Sequence, residues 1–157
     1  MSLADDILAA ARAANATVTC AESCTGGMVA AAITDVAGSS AIFERGFVTY
    51  SNQAKTDMLG VRQARLDAFG AVSEEVARDM AEGALRAAGA NVAVSISGIA
   101  GPGGSEFKPE GRVCFALATA TGTTSETIEF GALGRAEVRR SARDHALTLI
   151  LRKLRQI

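Results

Sequence analysis

Hydrophobic positions in this chain recur with two periods, and the places where the period changes mark its elements. Ser2, with Asp5 three residues on as a capping-box partner, opens a helix predicted to run to about Ala14, ended by Asn15. The β-branched run Thr17-Val18-Thr19 predicts a strand to about Ala21. A turn follows, then a helix from Gly26 or Gly27 to about Thr34. After a loop at 35–40, the residues Phe43, Phe47, Val48, Thr49 and Tyr50 predict a strand over 41–50. Gly46 interrupts it as a bulge or a close backbone approach.

Ser51 or Asn52 caps a short helix through Leu59, which Gly60 ends, and Ala64 to Phe69 forms a second short piece. Ser73 opens a stronger helix with Val76, Met80, Ala84 and Leu85 near helical spacing, ended by Gly89. Asn91 to Ser97 is almost uniformly apolar, which predicts a strand buried on both faces. Gly98 to Gly111 is rich in glycine and proline and reads as a loop. Strands at Val113–Thr119 and Ser125–Phe130 are joined by 121–124 as a hairpin, and Ala136 to Leu154 is a long last helix. Helices alternate with the early strands while the late strands pair directly. The expected fold is a single α/β domain over 1–157, a three-layer α/β/α sandwich around a mixed sheet.

Composition narrows the possible functions. The chain has 157 residues, enough for one domain with a sizeable core, and 48 % of them are apolar. With a net charge of −1 and 4 % aromatics, neither a basic field nor a stacking surface points to nucleic acid. No apolar run approaches the roughly 20 residues of a membrane span, and acids at Asp5 and Asp6 stand where a signal peptide would be basic. A cytoplasmic protein is expected. Cys20, Cys24 and Cys114 read as reduced, buried thiols; with one histidine and no paired Cys-x-x-Cys, no metal site is expected. The alanine-rich helices could supply an apolar face for a homo-oligomer.

Four segments carry residue types suited to chemistry. Ser23 lies on the strand-to-helix turn Ala21-Glu22-Ser23-Cys24-Thr25-Gly26-Gly27, where backbone N–H groups near Gly26 and Gly27 could face a developing oxyanion. The alternative is that Ser23 and Thr25 only cap the helix. Cys24 as a thiol nucleophile is a further alternative, with His145 as its distant partner. In the second segment, Lys55 falls in the first turn of a helix just after Tyr50, where the helix dipole opposes a cation and favours the neutral amine. A partly buried lysine of this kind can act as base for a serine, with Tyr50 passing a proton or orienting the amine. A surface lysine beside a strand-end tyrosine is the plainer reading. The third segment, Ser97-Gly98-Ile99-Ala100-Gly101-Pro102-Gly103-Gly104, opens from a buried strand and could cradle a phosphate or ribose, or simply be a wide turn; it lacks the Walker pattern. In the fourth, Arg135 and Arg139 stand four residues apart on the last helix, as a phosphate clamp or as part of a solvated basic face.

Together these segments resemble the C-terminal domain of the CinA (competence-damage-inducible) family. The likeness rests on AESCTGG from Ala21, GFVTYSNQAKTDMLGV from Gly46, GAVSEEVARDMAEGA from Gly70, SGIAGPGG from Ser97 with KPEG from Lys108, and the Gly134-Arg135…Arg139 tail. It spans nearly the whole chain. It implies a nicotinamide-nucleotide amidase, which hydrolyses the carboxamide of nicotinamide mononucleotide to nicotinic acid mononucleotide and ammonia in pyridine nucleotide recycling. Such enzymes use a serine, a tyrosine and a lysine, with no metal or other cofactor. Carried over motif by motif, the catalytic roles fall on Ser23, Tyr50 and Lys55. The substrate-binding roles fall on Thr25, Gly26, Gly27, Gly46, Ser97, Gly98, Gly101, Gly103, Arg135 and Arg139. Ser97 stands where the family usually has threonine, and Leu133-Gly134 precede Arg135 where the family usually has an aspartate. Many relatives carry a further N-terminal nucleotide-hydrolase domain, so either a standalone form or an excised domain is expected. A binding module without turnover, a structural domain supporting a partner enzyme, and a serine amidohydrolase for another small amide are the competing readings.

Overall fold

The computed structural model describes residues 2–105 and 107–157. Met1, at the start of the acidic N-terminal run, and Glu106, within the expected Gly98–Gly111 loop, lie outside the described residues. Six helices, α1 (Leu3–Ala14), α2 (Met28–Thr34), α3 (Asn52–Leu59), α4 (Gln63–Phe69), α5 (Glu74–Ala88) and α6 (Arg135–Leu154), surround five strands. The strands are β1 (Val18–Glu22), β2 (Phe47–Val48), β3 (Val92–Gly98), β4 (Arg112–Thr119) and β5 (Gly122–Glu129), in the order β2-β1-β3-β4-β5. The β2, β1 and β3 strands are parallel, with Ala21 opposite Phe47 and Val18 opposite Val92. The β3, β4 and β5 strands alternate in direction, with Ala93 opposite Ala118 and Val113 opposite Ile128. This is the mixed-sheet α/β architecture that the pattern predicts.

Period-2 alternation sorts side chains by size between the two faces. Val18, Val92, Val94, Ile96, Val113, Phe115 and Leu117 point toward α1, α2 and α6 and make the larger core. Ala21, Ala93, Cys114, Ala116 and Ala118 point toward α5. Small side chains on this face let α5 approach closely, through Ala77, Ala81 and Ala84. Ser95 lies on the same face and donates its hydroxyl to the Ala77 carbonyl at 2.5 Å. Where α5 crosses α3, Gly83 is required, because a Cβ there would overlap the Leu59 carbonyl.

Local signals behave as their chemistry dictates. The Ser2 hydroxyl accepts the Asp5 N–H while the Asp5 carboxylate accepts the Ser2 N–H. Ser51 and Ser73 cap α3 and α5, and Asn15, Gly60 and Gly89 end their helices in the left-handed region. Two expectations need correction. The strand predicted over 41–50 is only the two residues of β2. Ser39–Ala41 is a 3₁₀ turn, and Phe43 makes a single parallel bridge to Val18. The chain then swings out so that the Arg45 carbonyl accepts the Thr19 hydroxyl at 2.7 Å, while Gly46 passes close to Cys20 and Phe43, where a Cβ would crowd both. The last hairpin is also tighter than expected. Its turn is Ala120-Thr121, and β5 takes in the polar run Gly122–Thr124, expected as part of the connection.

Candidate active site

A cleft of about 340 Å³ opens where the carboxyl ends of the parallel strands converge. Ser23 follows β1, Tyr50 and Asn52 follow β2, and Ser97 and Gly98 close β3. Lys55 enters from the first turns of α3, Arg135 from the first turn of α6, and the 99–105 loop forms one wall.

Ser23 and Lys55 are 32 residues apart in sequence and meet in this cleft. The Lys55 Nζ lies 3.0 Å from the Ser23 Oγ and donates to the Thr49 carbonyl at 2.8 Å. Thr49 is itself held by β1, its N–H and its hydroxyl both donating to the Glu22 carbonyl at 2.7 and 3.2 Å. The lysine side chain is only 1 % exposed and is the bulkiest of the fully buried side chains. Burial lowers its pKa to about 8, against a smaller raising effect from the neighbouring Cys24. No carboxylate hydrogen-bonds to the amine among the described residues. A neutral Lys55 can donate one N–H to Thr49 and turn its lone pair toward the Ser23 hydroxyl, which is the arrangement of a serine with its general base.

The turn carrying Ser23 is held from two sides. Glu22 ends β1 with its side chain fully buried. Its Oε1 accepts the Thr25 hydroxyl at 2.6 Å, the Gly27 N–H at 3.2 Å and the Val29 N–H at 2.9 Å, and its Oε2 accepts the Ala30 N–H at 3.0 Å. From the other side, Arg139 donates to the Cys24 and Thr25 carbonyls at 3.1 and 3.2 Å. Ser23 and Thr25 therefore do not cap α2; the Glu22 carboxylate does. The oxyanion donors expected near Gly26 and Gly27 are also engaged, Gly26 N–H on the Ser23 carbonyl and Gly27 N–H on Glu22. Among the described residues, the turn's N–H groups without an acceptor are those of Cys24 and Thr25.

Other expected site residues separate into those at the cleft and those away from it. Ser97, Gly98, Gly101 and Gly103 line it, although the Ser97 hydroxyl already donates to the Ala71 carbonyl at 2.8 Å. Gly101 has φ +93°, and a Cβ there would strike the Glu110 side chain, which fixes the loop by accepting the Gly103 N–H at 2.5 Å. Thr25, Gly26, Gly27 and Gly46 do not line the cleft; the first three build the turn and Gly46 packs the edge of the sheet. Tyr50 lines the cleft, but its phenol oxygen accepts from Arg135 at 2.6 Å and makes no hydrogen bond to Ser23 or Lys55. Arg135 also donates to the Gly101 carbonyl at 2.7 Å, so Tyr50 and Gly101 together hold its guanidinium. Of the two arginines, Arg135 faces the cleft, while Arg139 is spent on the turn.

The three cysteines are free and buried. Burial raises the Cys24 thiol to about 11, so it is protonated beside Ser23 and does not compete as the nucleophile. His145 lies against Glu126 and Phe115, on the β4–β5 side of the fold. No helix among the described residues is long and apolar enough to cross a membrane. The sequence gives no direct pointer to Glu22 or Asn52. Asn52 opens α3 at the cleft, and only its position just behind Tyr50 and Ser51 could have marked it.

The CinA C-terminal domain model matches residues 1–154. This chain belongs to the CinA C-terminal domain family. It is 57 % identical to the nicotinamide-nucleotide amidohydrolase PncC of Escherichia coli K12, over 99 % of this chain and 95 % of that one. Among solved structures, a competence/damage-inducible protein from Agrobacterium tumefaciens superposes with a TM-score of 0.92 at 46 % identity, covering 98 % of this chain and 93 % of that one. A CinA superfamily protein from Klebsiella pneumoniae gives 0.94 at 36 % identity, covering 99 % and 97 %. Both likenesses extend over nearly the whole chain.

Proposed function

We propose that this protein hydrolyses the carboxamide of nicotinamide mononucleotide, giving nicotinic acid mononucleotide and ammonia. The observation that carries the reading is the buried Lys55 amine 3.0 Å from the Ser23 hydroxyl, in a cleft that holds no second candidate base within hydrogen-bond reach of Ser23 among the described residues. The similarity to PncC supplies the substrate.

Neutral Lys55 takes the Ser23 proton as the Ser23 oxygen attacks the carboxamide carbon. The oxyanion is held by the N–H group of Cys24, a good donor contributing about 3 kcal/mol to such an intermediate. The Lys55 ammonium returns its proton to the departing nitrogen, and ammonia leaves. A water, deprotonated by the again-neutral Lys55, cleaves the ester and releases Ser23. The positive pyridinium ring already makes the amide electrophilic, which reduces what the protein must supply. Arg135 and the 101–104 loop hold phosphate and ribose. Tyr50 acts through Arg135, aligning the guanidinium, and not as a proton relay to the serine.

The test is ammonia release from nicotinamide mononucleotide by the wild-type chain and by Ser23→Ala. Release by the wild type that is lost in the variant supports the reading. Tight binding of the nucleotide with no ammonia from the wild type would leave a binding module, and release that survives in Ser23→Ala would remove Ser23 as nucleophile.

A further inference from the structure

We infer that Glu22 is the positioning residue of this site: its buried side chain sets the turn that aims Ser23, and its backbone sets the lysine that activates it. The inference rests on Ser23 being the nucleophile proposed above.

The geometry is a matter of donors and acceptors. Besides Thr25, Gly27, Val29 and Ala30, the Cys20 thiol lies 3.5 Å from Oε2. Five donors thus converge on two oxygens. Three of them are backbone N–H groups that cannot reverse their direction, so each of the two oxygens must accept at least one of them. A buried carboxylate is costly unless so satisfied, and this one satisfies the first turn of α2 from the strand before it, across the turn that carries Ser23. The Ser23 N–H completes the frame by donating to the Ile96 carbonyl at 2.9 Å. Through its main chain, the same residue holds Thr49, whose carbonyl fixes Lys55. Both members of the Ser23–Lys55 pair are therefore referenced to one residue that touches neither reacting atom. Glu22 does not line the cleft, and the parts that do the proposed substrate holding, Arg135 and the 101–104 loop, make no hydrogen bond to it.

Glu22→Gln is the informative variant. It keeps shape and volume, but in either amide orientation the NH₂ group faces donors: Ala30 N–H and Cys20 on one side, or Gly27, Val29 and Thr25 on the other. The turn must shift to relieve this. A displacement near 1 Å at a nucleophile lowers turnover by about 10²-fold. The experiment measures kcat and KM for nicotinamide mononucleotide, and separately the rate at which a fluorophosphonate probe labels Ser23, read by intact mass. In labelling, the Ser23 oxygen bonds phosphorus, fluoride leaves and Lys55 takes the proton, so this arm reads the nucleophile without the nucleotide. The expected result is a folded Glu22→Gln protein whose kcat and labelling rate both fall by about 10²-fold with KM within about twofold. A Glu22→Gln protein that melts lower but labels and turns over at the wild-type rate would overturn the inference, because a merely structural role predicts that outcome. Should Glu22→Gln fail to fold, Thr25→Val removes one donor and leaves the backbone bonds. A smaller fall in kcat and labelling is then expected, and unchanged rates in both would overturn the inference. Wild-type protein that labels at Ser23, with Glu22→Gln slowed, yet releases no ammonia would refute the amidase reading and leave the positioning role standing.

Discussion

On the β2-β1-β3 side of the sheet, all strands run one way and their carboxyl ends deliver Tyr50, Ser23 and Ser97 to one cleft. On the β4-β5 side the strands alternate, and none of their residues lines that cleft. In the parallel half β1 and β3 are buried while the short edge strand β2 leaves Val48 exposed, and the polar groups are held in fixed partnerships: Glu22 with α2, Thr49 with Lys55, Ser95 with α5. The outer antiparallel strand is half-exposed along its length and carries threonines and glutamates on its surface. Parallel strands joined by helices place several chain ends at one edge of the sheet, and loops from that edge can converge on a ligand. The β4–β5 hairpin places its two-residue turn at the far edge and brings both open ends, Arg112 and Glu129, to the edge where β3 ends, so its own residues frame the cleft without lining it. The parallel half thus supplies the residues proposed for the chemistry, and the antiparallel half supports the loops beside them.

The largest effect should come from breaking the Ser23–Lys55 pair. Ser23→Ala is expected to lower ammonia release by about 10⁴-fold or more, as loss of an activated serine does elsewhere. Lys55→Met should be as inactive, and it carries a second signature. Burial lowers the lysine pKa to about 8 from 10.5, so the folded state disfavours the charged amine. The unfolded chain binds the extra proton between about pH 8 and 10.5, so that penalty is present in full below pH 8 and fades as pH rises through this window. Lys55→Met should therefore melt higher than wild type at pH 7 by a few degrees and converge with it near pH 10.5. A lower melting temperature at pH 7 would show that the two hydrogen bonds of Lys55 outweigh its desolvation. In the wild type, kcat should rise with pH to a plateau above about 8, and a flat profile from pH 6 to 9 would exclude Lys55 as base.

How much of this was legible in the sequence follows from the range of each signal. Caps such as Ser2 with Asp5, Ser51 and Ser73 are satisfied within four residues, so their meaning is local. The alternation of Val92, Val94 and Ile96 with small residues marks a doubly covered strand directly. Ser23 and Lys55 could each be singled out, but their meeting could not be derived, since it depends on β1 and β2 lying side by side. Glu22 was hidden for a different reason. Helix N-caps normally stand immediately before the helix, whereas this carboxylate reaches α2 from the end of a strand, five to eight residues back. The 41–50 segment misled because its aromatics have strand character, yet Arg45 and Gly46 are occupied with Thr19 and Cys20 and break the ladder. At β5 the register follows from pairing with β4, which a run of threonine and serine does not announce.

Arg135 and Arg139, about one helical turn apart, sharpen the division of labour inside the active half. Arg135→Met should raise KM for the nucleotide by about 10- to 100-fold with little change in kcat, since it removes charge-assisted bonds to a group held equally in ground and transition states. Arg139→Ala, which releases the Cys24 and Thr25 carbonyls, should instead lower kcat by about tenfold and the melting temperature with it, leaving KM nearly unchanged. The same kinetic pattern in both variants would mean that the two arginines act as one clamp on the substrate.

The smallest effect belongs to the other half of the sheet. Arg112 and Glu129 face each other across β4 and β5 at 2.6 Å, with side chains 35 % and 52 % exposed. Water and salt screen such a pair, and cross-strand ion pairs of this exposure contribute about 0.2–1 kcal/mol. Glu129→Gln should therefore lower the melting temperature by no more than a few degrees at low ionic strength, and the difference should shrink as salt is added. Because Arg112 reaches the loop through its backbone, its carbonyl accepting the Ile99 N–H at 2.9 Å and its N–H donating to the Pro109 carbonyl at 3.3 Å whatever stands at 129, kcat and KM should stay at wild-type values. A change in either constant would show that strain in the hairpin passes through Ile99 into the 99–105 wall of the cleft, and the two halves would then have to be treated as one functional unit.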